Sequence, residues 1–136
     1  MRPLTVAEMM TTSVKTIYED ESISAADWDM VVGELRHLPV IDRERRVVGL
    51  VSDRDLMRAR EQPAPVASVM TRDVRTIGPD TPAIEAVEHL LQYKYSALPV
   101  VDARRTLLGI VTSTDFLELA RRALSGLDIH QPHVRA

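Results

Sequence analysis

The chain has 136 residues, a net charge of −3 and no cysteine. Without cysteine it can form neither a disulfide framework nor a thiolate metal site nor a cysteine nucleophile, and its acidic balance disfavours a broad nucleic-acid surface. Apolar residues make up 45% and aromatic residues 4%, so the core has to consist of aliphatic side chains and methionine. No apolar run approaches the roughly 20 residues of a membrane span, and the first residues lack the apolar region of a secretory signal. We therefore expect a cytoplasmic protein with neither a membrane nor a nucleic-acid partner.

The sequence repeats itself with a spacing of 60 residues. Across residues 6–57, 17 of the 52 pairs of positions are identical. The repeat predicts two homologous units around a pseudo-two-fold axis, with two equivalent clefts between them. Because a unit of this size alone buries only about 60% of its unfolded surface, we expect the two to share a core. The predicted boundaries are 1–61 and 62–125 for the two units and 126–136 for a flexible tail.

Each copy is predicted to have the element order β-α-β-β-α, which makes the fold class α/β (α+β). Val14–Ile17 and the equivalent residues 74–77 are each predicted to form a short strand. A polar turn with helix-start residues follows each of them. In the second copy, apolar residues at 83, 86, 87, 90 and 91 have the spacing of an amphipathic helix. In the first copy, Asp27 interrupts the same stripe. We interpret this helix as rotated, with a polar partner for Asp27 as the alternative.

Two strands and a second helix complete each copy. Leu38–Asp42 and Val47–Val51 predict strands joined by a charged turn, and the prolines at 39 and 99 favour an edge strand or a strand start. The second helices are expected to begin near Ser52 and Thr112. Residues 61–65 predict a stiff linker, and Gly126 is expected to end the last helix.

Three motifs occur twice in one register. They are Met-Thr at positions 10 and 70, Leu-Pro-Val-x-Asp from 38 and 98, and Gly-x-Val-Ser/Thr-x-x-Asp from 49 and 109. Together they resemble a tandem pair of cystathionine β-synthase (CBS) domains, a Bateman module, from Val6 to about Ala120. We expect no enzymatic activity, because the sequence contains nothing that resembles a catalytic triad, a Gly-rich phosphate loop or a paired-carboxylate active site. The resemblance implies a stand-alone regulatory module. It also implies that the clefts bind AMP, ADP, ATP or S-adenosylmethionine, with no cofactor or metal, and that the chain forms a homodimer acting on a separate, unidentified effector protein.

The resemblance also implies which residues bind the nucleotide. In the first copy they are Thr16, Ile17, His37, Pro39, Ser52, Arg54 and Asp55. In the second copy they are Thr76, Ile77, Ala97, Pro99, Thr112, Thr114 and Asp115. The Asp is expected to accept hydrogen bonds from the ribose hydroxyls, and the helix start after the Ser or Thr to receive phosphate. The Thr-Ile pair and the segment before the Pro are expected to line the base pocket.

Several alternatives stay open. Ser/Thr-x-x-Asp is also close to a capping box, which satisfies free backbone donors at a helix start. Met10 and Met70 are interpreted as core residues, and His130-x-x-His133 as a tail sequence without a third metal ligand. The alternative function is a ligand-free CBS scaffold that mediates dimerisation or another protein-protein interaction.

The two copies differ in charge around the predicted clefts. Arg36, His37 and Arg54 align with Ser96, Ala97 and Thr114. We expect the first-copy cleft to prefer phosphate, with Lys94 as a possible charge for the other cleft. The alternative is that all three basic groups are surface residues without a role in binding. The apolar helix residues expected at a dimer interface are Leu56, Met57, Phe116 and Leu117.

Overall fold

A computed structural model describes residues 2–59, 63–93 and 95–130. The first copy contains α1 (Val6–Met9), β1 (Ile17–Tyr18), α2 (Ile23–Gly33), β2 (His37–Ile41), β3 (Val47–Ser52) and α3 (Asp53–Met57). The second copy contains a short 3-10 helix (Val66–Ser68), α4 (Ala83–Tyr93), β4 (Ala97–Val101), β5 (Leu107–Thr112) and α5 (Ser113–Leu124). The α/β class is confirmed. The first strand of the second copy is reduced to one parallel bridge between Ile77 and Val100.

The chain divides into two compact units that cut across the predicted domain boundaries. One consists of Val14–Val74 with Arg104–Leu107 and is called the repeat-1 unit here. The other, the repeat-2 unit, consists of Met1–Ser13, Arg75–Ala103 and Leu108–Ala136. Each unit therefore contains the Met-Thr opening of the other sequence copy. The boundaries 1–61 and 62–125 remain a prediction about the repeats in the sequence.

Backbone pairing explains this exchange of openings. In the repeat-1 unit, Thr71 and Leu50 exchange both backbone hydrogen bonds, at 2.8 and 3.0 Å. In the repeat-2 unit, Thr11 and Ile110 do the same, at 2.9 Å in both directions. The methionine before each threonine packs over a glycine of the strand it pairs with, Gly49 or Gly109. Each Met-Thr opening thus pairs with the second strand of a hairpin. Its methionine fills the space above a glycine of that strand, which has no side chain.

The sheet of the repeat-1 unit has the order β1-β2-β3, with β1 parallel and β3 antiparallel to β2. Pro39 lies inside the central strand, opposite Leu50, so the expectation of an edge strand or strand start was wrong for this proline. Pro99 lies in β4 of the two-stranded sheet β4-β5, where the expectation of an edge strand holds. Parallel pairing with β1 begins only at Val40. The proline can stand in the central strand because, at its position, only β3 is paired with β2.

The rotation predicted for α2 was also wrong. The helix buries Ile23, Ala26 and Met30, which align with the residues that α4 buries, Ala83, Ala86 and Leu90. The inward face is therefore the same in both copies. Asp27 is only half-buried, beside that face. The helix begins at Ser22, whose side chain accepts a hydrogen bond from the Ala25 amide at 3.0 Å.

Each unit has its own core, so the expectation of one core shared by the two was wrong. Both cores consist of aliphatic residues and methionine, as the composition predicts. The repeat-1 core contains Ile17, Ile23, Ala26, Met30, Leu38, Val40, Val51, Leu56, Ala59, Val66 and Met70. The repeat-2 core contains Leu4, Val6, Met9, Ile77, Ala83, Ala86, Leu90, Leu98, Val100 and Val111, with Met10 packed against it. The interpretation of Met10 and Met70 as core residues is confirmed. Within the described ranges, no helix is both long and apolar enough to cross a membrane.

The end of α5 follows the prediction. The helix stops at Leu124, and Gly126 has a φ of +77°, a conformation that glycine adopts without a steric cost. The Leu127 amide then donates to the Arg122 carbonyl at 2.9 Å, so the chain turns back toward α5. Residues 131–136 of the predicted tail and residues 61–62 of the predicted linker lie outside the described residues.

Candidate functional site

The carboxylate of Asp55 is the centre of the candidate site in the repeat-1 unit. Oδ2 accepts the Ser52 backbone amide at 2.9 Å, and Ser52 Oγ accepts the Asp55 amide at 3.2 Å. The predicted capping box is therefore present. It occupies only one carboxylate oxygen, since Oδ1 accepts no hydrogen bond from the described residues. Capping and ligand binding are thus compatible at Asp55, which is half-buried.

His37 lies next to this carboxylate. It begins β2 and stands opposite Ser52 in the β2–β3 ladder, while the Asp53 amide donates to the Arg36 carbonyl at 2.9 Å. Burial lowers the pKa of the His37 imidazole, although the carboxylates of Asp53 and Asp55 act in the opposite direction. The ring is therefore neutral at neutral pH and can gain a proton when an anion approaches.

The other predicted residues of the first copy have different surroundings. Ile17 is buried and pairs with Val40, and half-buried Thr16 directly precedes β1. Pro39 is buried within β2, whereas Arg54 is exposed on α3. The Arg54 guanidinium makes no hydrogen bond or ion pair within the described part of the chain. The fold thus brings His37, Ser52 and Asp55 together and leaves Arg54 accessible beside them.

One physical expectation for this site has to be corrected. Phosphate was expected at the helix start that follows Ser52, but α3 spans only the five residues Asp53–Met57. So short a helix supplies little dipole. Asp53 and Asp55 also lie in its first turn, where their negative charges already occupy the favourable position. Any attraction for phosphate in this unit has to come from cationic side chains instead.

The equivalent carboxylate of the repeat-2 unit, Asp115, is closed. It is 2% exposed, and both of its oxygens accept hydrogen bonds. Oδ2 accepts from the Thr112 amide at 2.7 Å and the Thr112 hydroxyl at 3.1 Å. Oδ1 accepts from the Thr11 hydroxyl at 2.9 Å. A ribose could reach this carboxylate only after displacing Thr11.

The remaining second-copy residues surround this closed carboxylate on the same scaffold. Ile77 is buried, and its amide donates to the Pro99 carbonyl at 3.1 Å. Ala97 and Pro99 are buried within β4, while Thr76 is half-buried and Thr114 is exposed. Lys94, the possible charge for this cleft, lies outside the described residues. The two predicted sites therefore share a backbone design and differ in the access to their carboxylates.

Sequence reasoning missed the role of Thr11. The Met-Thr motif was noted only as a mark of each copy, yet Thr11 bonds to a carboxylate 104 positions away. The signal was the recurrence of Met-Thr and Gly at the same spacing in both copies. A glycine in an otherwise aliphatic strand often marks a close approach of another segment.

Neither unit shows a metal site among the residues that the structure covers: no three potential ligands come together there. His130 bonds to Glu8 through Nδ1 at 3.0 Å, whereas His133 lies outside those residues. A metal role for the pair therefore has no support in the geometry of His130.

The CBS domain sequence model matches residues 6–62 and 66–122. The chain belongs to the CBS domain family and contains two CBS domains in tandem. Among curated proteins, homoserine O-acetyltransferase of Methanococcoides burtonii is 39% identical over 115 residues, which are 84% of this chain and 24% of that enzyme. The chain thus spans about a quarter of that relative, and the match covers a minor part of it.

Two solved structures are similar over nearly their whole length. One is the CBS domain pair of protein MJ0100 in complex with 5′-methylthioadenosine and S-adenosyl-L-methionine. It has a TM-score of 0.84 and 28% identity, over 90% of this chain and 99% of that one. The other is CBSX2 from Arabidopsis thaliana in complex with AMP. It has a TM-score of 0.82 and 29% identity, over 88% and 98%. Both relatives bind adenosyl compounds.

Proposed function

We propose that this chain is a regulatory module whose repeat-1 unit binds an adenosyl ligand, with Asp55 holding the ribose. The observation that carries the proposal is that the two oxygens of the Asp55 carboxylate have different roles. Oδ2 caps α3, and Oδ1 remains available to accept a hydrogen bond from a ligand. Hydrogen bonds to an ionised acceptor are roughly twice as strong as neutral ones, which suits a cis-diol. The adenosyl ligands of the two structural relatives support the same class of ligand.

Basic groups near Asp55 favour a phosphorylated ligand over S-adenosylmethionine. Arg36 and Arg54 are exposed, and His37 is held neutral mainly by burial. An arginine can bind phosphate through two parallel hydrogen bonds, and a phosphate beside the imidazole would stabilise its protonated form. AMP, ADP and ATP are therefore the proposed ligands, and S-adenosylmethionine is the unphosphorylated ligand whose affinity is compared with theirs.

The output of such a module is regulation of another protein and not catalysis by this chain. A ligand can shift a conformational equilibrium only by its difference in affinity for the two states. The module therefore needs a separate effector that responds to one of those states. The proposed chemistry at Asp55 is recognition of hydroxyl groups, which breaks no bond.

Calorimetry and thermal shift with AMP, ADP, ATP and S-adenosylmethionine test the proposal. A ligand that binds the folded state raises the melting temperature by mass action. Asp55→Ala is expected to weaken binding by roughly 10- to 100-fold, the equivalent of one hydrogen bond to a charged group. Asp80→Ala, which removes an exposed carboxylate from a turn of the repeat-2 unit, is the control. Equal affinity of wild type and Asp55→Ala would contradict the ribose role.

Homodimerisation is a second proposed function, and α2 favours it. The helix buries Ile23, Ala26 and Met30 on one side, yet Trp28, Val31 and Val32 on the other are 70%, 67% and 64% exposed. A helix with apolar residues on two opposite faces is normally covered on both. In a two-fold dimer the same surface patch of each chain contacts the other. The proposed partner of this face of α2 is therefore a second copy of this chain.

The residues predicted for this interface need one correction. Met57 and Leu117 are exposed, at 63% and 70%. Leu56 is 1% exposed within the core and so is not available for an interface, whereas Phe116 is half-buried against the repeat-2 core. Sedimentation equilibrium of wild type and Val32→Ser tests the proposal. A dimer weakened by Val32→Ser is expected, and a wild-type monomer at tens of micromolar would exclude it.

A further inference from the structure

The C-terminal segment of the repeat-2 unit, residues 126–130, folds back over α5. The Leu127 amide donates to the Arg122 carbonyl at 2.9 Å, and the Arg122 guanidinium donates to the Asp128 carbonyl at 2.5 Å. The Asp128 carboxylate accepts the His130 amide at 2.9 Å. These bonds give the segment one defined path, which ends beside α1.

The end of that path is a contact between the two ends of the chain. His130 Nδ1 lies 3.0 Å from Oε2 of Glu8, and the two side chains are only 18% and 20% exposed. The other oxygen of Glu8 accepts from the Thr5 amide and hydroxyl and from Arg2. The bonds from Arg2 and His130 hold the pKa of the Glu8 carboxyl well below its usual range, so Glu8 is charged at neutral pH.

Ile129 of this segment lies near the closed carboxylate. Together with Glu8, Met9, Leu119 and Arg122 it lines a pocket that has Asp115 in its wall. The free volume is about 10 Å³, which leaves room for one water molecule at most. Asp115 is thus covered twice, by the Thr11 hydroxyl and by the returning C-terminal segment.

The repeat-1 unit provides an internal comparison. Thr71 aligns with Thr11 but is exposed, and Ser68 stands at the position of Glu8. The half-buried Asp55 has no counterpart of the His130 contact in the part of the chain that the structure describes. Among the described residues, the closure of the carboxylate is therefore found in the second copy alone.

We propose that residues 126–130 form an autoinhibitory latch that closes a second adenosyl site at Asp115, the His130–Glu8 contact holding the latch shut. The proposal rests on the function proposed for Asp55. In the closed state Asp115 ties Thr11 to α5. In the open state Ile129 has left the pocket, so that a ribose hydroxyl can take the place of the Thr11 hydroxyl at the Asp115 carboxylate. A site that is open in a small fraction of molecules has its apparent affinity reduced by that fraction, so the wild type is expected to bind one ligand.

Calorimetry of truncated chains tests the latch. The variant that lacks residues 127–136 is expected to bind about two AMP molecules per chain instead of one. Adding Asp115→Ala to that truncation should restore a stoichiometry of one. One bound AMP in both wild type and truncated chain would overturn the latch alone, as would two in the wild type. Absence of binding in every chain would overturn the function proposed for Asp55, and the second site with it.

His130→Ala keeps the test valid if the truncated chain does not fold. This variant removes one side chain near the end of the chain and leaves α5 intact. The His130–Glu8 contact predicts faster hydrogen exchange at the Leu127, Thr11 and Thr112 amides, together with a second, weaker binding event. His89→Ala, in α4 of the same unit, is the control and should change neither. Unchanged exchange and stoichiometry in His130→Ala would show that the contact does not hold the segment closed.

Discussion

Gly49 lies directly under the side chain of Met70: a Cβ atom on Gly49 would stand 2.6 Å from Met70 Sδ and 3.1 Å from the Thr71 carbonyl. The second copy repeats this relationship, with a Cβ on Gly109 at 2.8 Å from both Met10 Sδ and the Thr11 carbonyl. The two glycines are where the openings dock, so they hold the exchanged segments in place.

Alanine at either glycine is expected to destabilise the protein, by about 1–3 kcal/mol for an overpacked site. Gly109→Ala should lower the free energy of unfolding more than Gly49→Ala does, because the Cβ at Gly109 would stand only 2.8 Å from the Thr11 carbonyl oxygen. A backbone atom cannot move aside as a methionine side chain can. Gly78→Ala, whose Cβ would meet nothing closer than 3.9 Å, is the control. Denaturant unfolding measures the three variants, and equal stabilities would show that the openings do not pack as described.

Substitution of Asp115 is expected to reduce mainly the stability of the protein, and substitution of Asp55 mainly the binding of the ligand. Asp115→Ala leaves the Thr112 amide and the Thr11 hydroxyl without their acceptor, at a cost of about 2–3 kcal/mol. Asp55→Ala removes only a helix cap, which costs roughly 1 kcal/mol, although it removes the proposed ribose contact. Thermal unfolding of the ligand-free variants measures this order, and a larger loss for Asp55→Ala would reverse the assignment of Asp115 as the buried, structural carboxylate.

Two arginines with left-handed backbone give a matched pair of variants. Arg45 and Arg105 occupy the same position of the two hairpin turns, with φ of 67° and 66°. Glycine adopts this conformation without the cost of about 1 kcal/mol that other residues incur. Arg45→Gly is therefore expected to raise the free energy of unfolding by about 0.5 kcal/mol, since glycine also gains entropy in the unfolded chain.

Arg105→Gly should not show the same gain. The Arg105 guanidinium donates to the Val47 carbonyl at 3.3 and 3.4 Å, and those bonds offset the backbone strain. Urea unfolding of the two variants side by side makes the comparison. Equal stabilisation by both substitutions would mean that the Arg105 contact contributes nothing to the stability of the repeat-1 unit.

The lowered pKa of His37 predicts a pH dependence of stability. The folded protein keeps this ring neutral, mainly through burial, while the unfolded chain takes up a proton below about pH 6.5. The free energy of unfolding should therefore decrease as the pH falls through that value, and the decrease should stop once the folded protein is protonated as well. His37→Ala, which copies Ala97, is expected to lack this decrease, and His89→Ala to retain it. The same decrease in both variants would assign it to other groups.

Sequence patterns predicted the parts of the fold that local spacing determines. The hairpin strands, the helix starts at Ser52 and Thr112 and the stop at Gly126 each depend on residues within a few positions of one another. The packing partners of Thr11 and Thr71 could not be predicted, because the two hairpins have nearly the same sequence and either could receive either opening. The closure of Asp115 escaped prediction for a related reason. Its covering groups come from both ends of the chain, and no local pattern marks them.

Arg54 provides the last prediction, which concerns phosphate. Its side chain is exposed on α3 beside Asp55, and the second copy has Thr114 at this position. Because the proposed partner of the Arg54 guanidinium is phosphate, Arg54→Ala is expected to weaken ATP and ADP binding roughly 10-fold, the value of one charge-assisted contact. Adenosine binding should stay nearly unchanged. Arg121→Ala, which removes an exposed arginine paired with Glu118 in the repeat-2 unit, is the control. Calorimetry with the three ligands decides: equal losses for adenosine and ATP would place Arg54 in the fold or the base pocket, and no loss for ATP would leave the phosphates to Arg36 and His37.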